Sequence, residues 1–162
     1  MPEAGTVVRI AEFKVGKGPE VLSALGLGSC VAVMLWDPVP KLGGMAHVML
    51  PSSLVFPPPH NPGKFADTSI PALVDALLQE GARKDRLAAK LVGGSNMFGG
   101  VQGPEVMPLG LRNVMAARAA LRTLWIPLRA EEVGGAKGRT LHFQCEDGMV
   151  LVRKVYQPDA WL

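Results

Sequence analysis

Two side chains of this sequence can do covalent chemistry on each other's behalf: the thiol of Cys30 and the imidazole of His47. Cys30 follows Gly26-Leu27-Gly28-Ser29 and opens the apolar run CVAVMLW, while His47 lies in the next apolar stretch, KLGGMAHVML. Between them stands Asp37-Pro38-Val39-Pro40, a turn sequence. If those four residues form the loop of a hairpin, Trp36 faces Lys41. Counting outward, Met34 then faces Gly43, Ala32 faces Met45, and Cys30 faces His47. Directly opposed residues on one sheet face hold their Cβ atoms about 4.5–5.5 Å apart, close enough for a sulfur to meet a ring nitrogen. A one-residue slip would send the two to opposite faces.

The chemistry of such a pair is acyl transfer. An imidazolium beside a cysteine lowers the thiol pKa from about 8.5 to roughly 3.5–7.5, and the thiolate attacks an amide or ester carbon. The backbone N–H groups of Gly28, Ser29 and Cys30 are candidates for an oxyanion hole, because glycine lets the backbone approach a substrate closely. His47 would protonate the leaving amine and then activate water against the thioester. On the residues alone, other readings stand beside this one. A cysteine at the head of an apolar strand can be a small core hydrophobe, and a histidine between Met45 and Met49 a satisfied interior group. Cys30, Cys145 and the three histidines lack zinc-ligand spacing, so no metal is expected. Gly26-x-Gly28 lacks the third glycine (Val31 stands there) and a following helix, so it fails as a dinucleotide fingerprint. Cys145 alternates with Leu141 and Phe143 and is expected in the core. His142 points the other way and is expected at the surface. His60 is a weaker rival for the base.

The elements that must position the pair can be read from periodicity. Residues 6–13, 20–25, 30–36, 41–50, 87–92, 126–132, 139–145 and 149–156 carry strand patterns. The run 30–36 is apolar throughout, as a strand buried on both faces is. Ile70, Leu73, Val74, Leu77 and Leu78 form one apolar helix face, with Asp67 or Ser69 as cap and Pro71 in the first turn. A second helix over roughly 110–124 is expected to bury Leu111, Val114, Met115 and Leu121. Residues 51–66 have no period and three consecutive prolines. The sum is an α+β chain: a layered α/β/β sandwich of largely antiparallel sheet with two main helices on one side. The 162 residues are expected to form a single domain, 1–162. Hydrophobic residues make up 48%, enough for a core, so wholesale disorder is excluded. The net charge of +3 is scattered, and no basic patch with interleaved aromatics suggests a nucleic-acid partner. No apolar run approaches a membrane span, and no secretory signal is visible, so a cytoplasmic protein is expected.

At this point the motifs acquire a resemblance. GLGSCVAVMLWDPVPKLGGMAHVMLP is similar to the signature of the chemoreceptor glutamine deamidases, the CheD family. The likeness continues through GKFADTSIPALVDAL, AKLVGGSNMF, LGLRNV, EEVGGAKGR and LVRKV, in order along most of the chain. The resemblance implies hydrolysis of selected glutamine side chains of methyl-accepting chemotaxis receptors to glutamate, with release of ammonia and no cofactor. It puts the nucleophile on Cys30 and the general base on His47. It implies two partners, the receptor cytoplasmic domain and a CheC-type phosphatase. It also implies that Gly93, Gly94, Ser95 and Phe98 shape the substrate groove. One position departs from the pattern: where the family carries a threonine as third catalytic residue, this chain has Ala24. A hydroxyl there would help to hold the histidine, and Ser23 next to it would point to the opposite sheet face. A backbone carbonyl or a water is expected to take over. The competing reading is a binding module that regulates the phosphatase, with weak or vestigial catalysis.

Overall fold

The computed structural model describes residues 5–97 and 107–162. Among them ten strands form two mixed, mostly antiparallel sheets, with two α-helices. The strands are β1 (Thr6–Val7), β2 (Phe13–Lys17), β3 (Val21–Leu27), β4 (Val31–Asp37), β5 (Leu42–Val48), β6 (Ala88–Gly93), β7 (Leu128–Val133), β8 (Arg139–Gln144), β9 (Val150–Arg153) and β10 (Ala160–Trp161). One sheet has the order β2-β5-β4-β6-β7, the other β1-β3-β8-β9-β10. The helices are α1 (Ala66–Gln79) and α2 (Leu109–Thr123). Both pack on one face of the first sheet, where Val31, Val33 and Leu35 of β4 meet Leu73, Leu77, Val114 and Leu121. The other face of that sheet, with Ala32, Met34, Met45 and Val92, packs on Leu22, Ala24, Leu141, Phe143 and Val152 of the second. This is the expected α/β/β layering. It explains why β4 is apolar at every position: it lies mid-sheet and is covered on both sides.

Three local expectations are corrected. The stretch 6–13 is not one strand, because Ala11 takes a left-handed φ of 66° and turns the chain from the second sheet into the first. Helix α1 starts at Ala66 without a side-chain cap. The Asp67 carboxylate is occupied instead by the N–H and Oγ of Ser53, at 2.9 and 2.8 Å, which ties the proline-rich segment to the helix. Pro71 lies inside this helix, past its first turn. Helix α2 buries Gly110, Asn113, Val114, Ala117 and Leu121, whereas Leu111 and Met115 are 44% and 46% exposed. Gly110 sets this rotation: a Cβ there would stand 2.5 Å from the carbonyl oxygens of Gly94 and Ser95. The close approach fixes one face of the helix inward and turns Leu111 and Met115 out.

The hairpin of β4 and β5 forms, with a register different from the expected one. Asp37 pairs with Leu42 and Trp36 with Gly43, so His47 faces Ala32 and not Cys30. The cause is Asp37, whose side chain is fully buried. One carboxylate oxygen accepts from the N–H of Val39 at 3.1 Å and from Arg86 Nε at 2.9 Å, and the other from the N–H of Arg83 at 2.8 Å. These bonds draw Asp37 into the strand and push the turn one residue on, to Pro38–Lys41, where Lys41 takes a φ of 52°. The offset in pairing is two positions, an even number. Cys30 and His47 therefore keep a common face and become diagonal neighbours rather than opposite ones. Replacing Asp37 with Ala takes this partner from Arg86 and from the part-buried amides of Val39 and Arg83. Because Arg86 is partly exposed, a loss of about 2–4 kcal/mol is expected. A urea titration in which the midpoint falls at constant slope checks it.

Candidate active site

The loop Gly28–Cys30 is held by its three successive carbonyls. The N–H of Ser95 donates to Gly28 O at 2.9 Å and the N–H of Gly94 to Cys30 O at 2.8 Å. Asn113 Nδ2 on α2 donates to Ser29 O at 2.9 Å and also to Met49 O, just beyond His47, at 3.1 Å. The approach of the 93–95 segment demands glycine. A Cβ on Gly93 would lie 2.4 Å from Cys30 O, and one on Gly94 would lie 2.4 Å from Val114 Cγ2. Gly93, Gly94 and Ser95 thus stand behind the loop, with Ser95 itself buried. The segment is braced in turn by the EEVGGAKGR stretch. Arg139, held in an ion pair with Glu132, donates to Gly134 O at 2.6 Å, and the N–H of Gly134 donates to Gly93 O at 3.0 Å. With the carbonyls committed, the N–H groups of Gly28 and Ser29 have no hydrogen-bond partner among the described residues. Unpaired amides beside a cysteine can receive a developing oxyanion.

His47 is almost wholly buried on β5, and its Nδ1 lies 3.0 Å from the carbonyl oxygen of Val8. A carbonyl only accepts, so Nδ1 carries the proton and Nε2 the lone pair. Val8 is placed by its own N–H, which donates to Ser23 O at 2.8 Å on β3. Ala24 follows, fully buried and facing the same inter-sheet layer against which Cys30 packs. It has no polar side-chain atom to give, so the orientation of His47 comes from main chain. Ser23 does point to the opposite face, where its Oγ meets His142 Nδ1 at 2.7 Å. His142 is buried rather than at the surface, enclosed on the outer side of the second sheet.

Cys30 is half-buried. Among the described residues no hydrogen bond joins its sulfur to His47, in keeping with the diagonal register, which separates such neighbours by about 7–8 Å. Burial pushes the Cys30 thiol above its ordinary pKa, against a smaller opposing pull from its own N–H. Burial likewise pushes His47 below its ordinary value, against the Val8 carbonyl and the charge of Glu12. Both directions favour a thiol and a neutral imidazole over the expected thiolate–imidazolium pair. Such a pair can still transfer a proton when a substrate bridges it, with the imidazole as base.

The remaining candidates fall away from this site. His60 Nε2 bonds the Phe56 carbonyl of its own loop at 2.8 Å. Cys145 is core as expected, its thiol pushed up to about 12 by burial first and the Glu20 charge second. Phe98 lies outside the described residues. No cluster of metal-binding side chains occurs among the described residues. Two contributors escaped the reading of single residues. The Val8 carbonyl is main chain and leaves no trace in side-chain chemistry. Asn113 was visible only as part of LGLRNV; a polar residue in the i, i+4 row between Gly110 and Ala117, on the face α2 buries, was the available signal.

If the pair rests neutral, alkylation of Cys30 by iodoacetamide should be slow at pH 7 and rise with an inflection above the usual thiol range of about 8–9. An inflection below 7 that disappears in His47→Ala would instead reveal a preformed ion pair. Asn113 Oδ1 is buried without a partner among the described residues, so the NH2 group is what the site uses. Asn113→Ala is expected to cost about 1–3 kcal/mol. Asn113→Asp should cost more at pH 7, because a carboxylate would then face two carbonyl oxygens. Urea midpoints of the two variants give the order.

With this geometry in view, comparison with known proteins is informative. Residues 49–154 match the family described as CheD chemotactic sensory transduction, a match that begins just after His47. The chain is 45% identical over 148 residues to a protein of Caldanaerobacter subterraneus subsp. tengcongensis, covering 91% of each chain. It is 44% identical over 151 residues to one of Desulforamulus reducens, covering 93% of this chain and 91% of the relative. A Clostridium botulinum protein is 45% identical over 148 residues, again with 91% of each covered. All three carry the name probable chemoreceptor glutamine deamidase CheD. A match of this extent, on a sandwich whose glycine contacts and loop braces fall within the family's motifs, makes the chain a member of the CheD family.

Proposed function

We propose that this protein hydrolyses glutamine side-chain amides on the cytoplasmic domain of chemotaxis receptors, with Cys30 as nucleophile and His47 as general base. The observation that carries the reading is the hydrogen bond from His47 Nδ1 to the Val8 carbonyl, which leaves Nε2 free to take a proton. The relatives' shared name supports the substrate class. A glutamine side chain is long and exposed on a receptor helix, and it suits a half-buried thiol at a loop. Its amide carbon would sit in the gap between sulfur and imidazole. As the C–S bond forms, the thiol proton passes to Nε2. The developing oxyanion accepts from the N–H groups of Gly28 and Ser29, one such donor being worth about 3–4 kcal/mol. His47 then gives its proton to the amide nitrogen, the C–N bond breaks, and ammonia leaves a thioester. Water, deprotonated by His47, attacks that carbon. The C–S bond breaks, the sulfur regains a proton, and glutamate is released. On this reading residues 1–162 act as one catalytic domain. Gly93, Gly94 and Ser95 serve by holding the oxyanion loop, and Phe98 remains assigned to the substrate groove on the family resemblance.

A second reading has two observations in its favour. Ala24 and the high resting pKa of Cys30 suit a member whose main task is binding a CheC-type phosphatase. Incubation with receptor cytoplasmic domain, followed by mass spectrometry of the glutamines and an ammonia assay, separates the two. The deamidase reading expects conversion of glutamine to glutamate that falls at least about 10³-fold in Cys30→Ala and in His47→Ala. Because Val8 already holds Nδ1, Ala24→Thr should bring no gain in kcat. Wild-type protein that binds the phosphatase but converts no glutamine would decide for the second reading.

A further inference from the structure

The described residues enclose a concave site at the end of the sandwich remote from Cys30. A cavity of about 340 Å³ lies between the sheets beside the β4–β5 turn, at the small end of the range of about 300–1,000 Å³ usual for ligand pockets. Trp36, which lines it, ends the inner face of β4, roughly 20 Å along the strand from Cys30.

Its apolar walls are rigid. Trp36 Nε1 donates to the Cys145 carbonyl at 2.8 Å, and the turn at Gly148 presses on the indole so closely that a Cβ there would stand 2.5 Å from the ring. Phe143 and Met34 are fully buried beside it.

Its charges do not balance. Arg86, Lys90 and Arg129 all line the cavity. Arg86 is committed to Asp37 at 2.9 Å. Lys90 is opposite Met34 in the ladder, on the inner face of β6 between Ala88 and Val92. Its amine donates to Gly148 O at 2.9 Å and feels the carboxylate of Asp147. Burial pushes that amine below its ordinary pKa, against the pull of Asp147. Arg129 on β7 is exposed and has no ion pair among the described residues. Two carboxylates, Asp37 and Asp147, therefore answer three cations. Lys90 is half-buried and already paired with the Gly148 carbonyl and the Asp147 charge, so Arg129 is the cation on this wall left without a carboxylate among the described residues.

We propose that this cavity binds a small aromatic monocarboxylate, its ring against Trp36 and its carboxylate between Lys90 and Arg129. The inference stands apart from the deamidation reading and does not depend on it.

The test is an NMR titration of the full chain with phenylacetate, following amide and indole N–H signals. Saturating shifts are expected at the Trp36 indole and at Gly148, with Gly28 and Ser29 unmoved. Phenylacetamide, which has the same shape without the charge, should bind at least about tenfold more weakly. Arg129→Gln, at an exposed position that should not disturb folding, and Lys90→Met should each weaken phenylacetate by a similar factor while leaving receptor deamidation unchanged. No saturation at millimolar phenylacetate, equal binding of the amide, or shifts confined to Gly28 and Ser29 would each overturn the proposal.

Discussion

The buried carboxylate of Asp37 decides how the two strands of the candidate site meet. Three donors converge on it, one from the turn, one from the backbone at Arg83, and one from the Arg86 side chain. A fully buried carboxylate tolerates no rearrangement that strips it of these partners. So the strand runs through Asp37, the turn starts after it, and every pair from Trp36–Gly43 to Val31–Val48 follows. The distance between the sulfur and the imidazole at the far end of the hairpin is thus set by an ion pair at the near end.

What stands at the far end is a loop gripped from behind. The 93–95 segment and Asn113 hold the carbonyls of Gly28, Ser29 and Cys30, while the amides of Gly28 and Ser29 have no partner among the described residues. The histidine is treated in the same way: the Val8 carbonyl binds one nitrogen, and the other is left for chemistry. For the histidine the orienting group is main chain; for the loop it is main chain together with the Asn113 side chain. This bears on Ala24. Where the resemblance implies a hydroxyl, the Val8 carbonyl already orients the ring without one.

The layering was legible in the sequence because it rests on periodicity. The unbroken apolar run of β4 announced cover on both faces, and the spacing of Ile70, Leu73, Val74 and Leu77 announced the inward stripe of α1. The pairing of Cys30 with His47 was legible as a shared face but not as a shared rung. Turn composition alone cannot show that Asp37 would be claimed by Arg83 and Arg86, residues far along the chain. The tilt of α2 was hidden for the same reason. Leu111 and Met115 are as apolar as Val114 and Leu121, and only the contact of Gly110 with the Gly94 and Ser95 carbonyls selects between them. The burial of His142 depended on its meeting with Ser23 across two strands distant in sequence. Local pattern predicts which faces exist, and long-range polar contacts choose the register within them.

The burial that pushes the Cys30 thiol above its ordinary pKa also bears on oxidative damage. Peroxides attack thiolates far faster than thiols, and the sulfenic acid they form can proceed to irreversible states. A cysteine whose proton is withdrawn only when a bound amide bridges it to an imidazole spends little time in the vulnerable form. The even-numbered offset in the hairpin separates sulfur from ring without turning them to different faces, so on the proposed mechanism the cysteine would be a nucleophile only while a substrate bridges the pair.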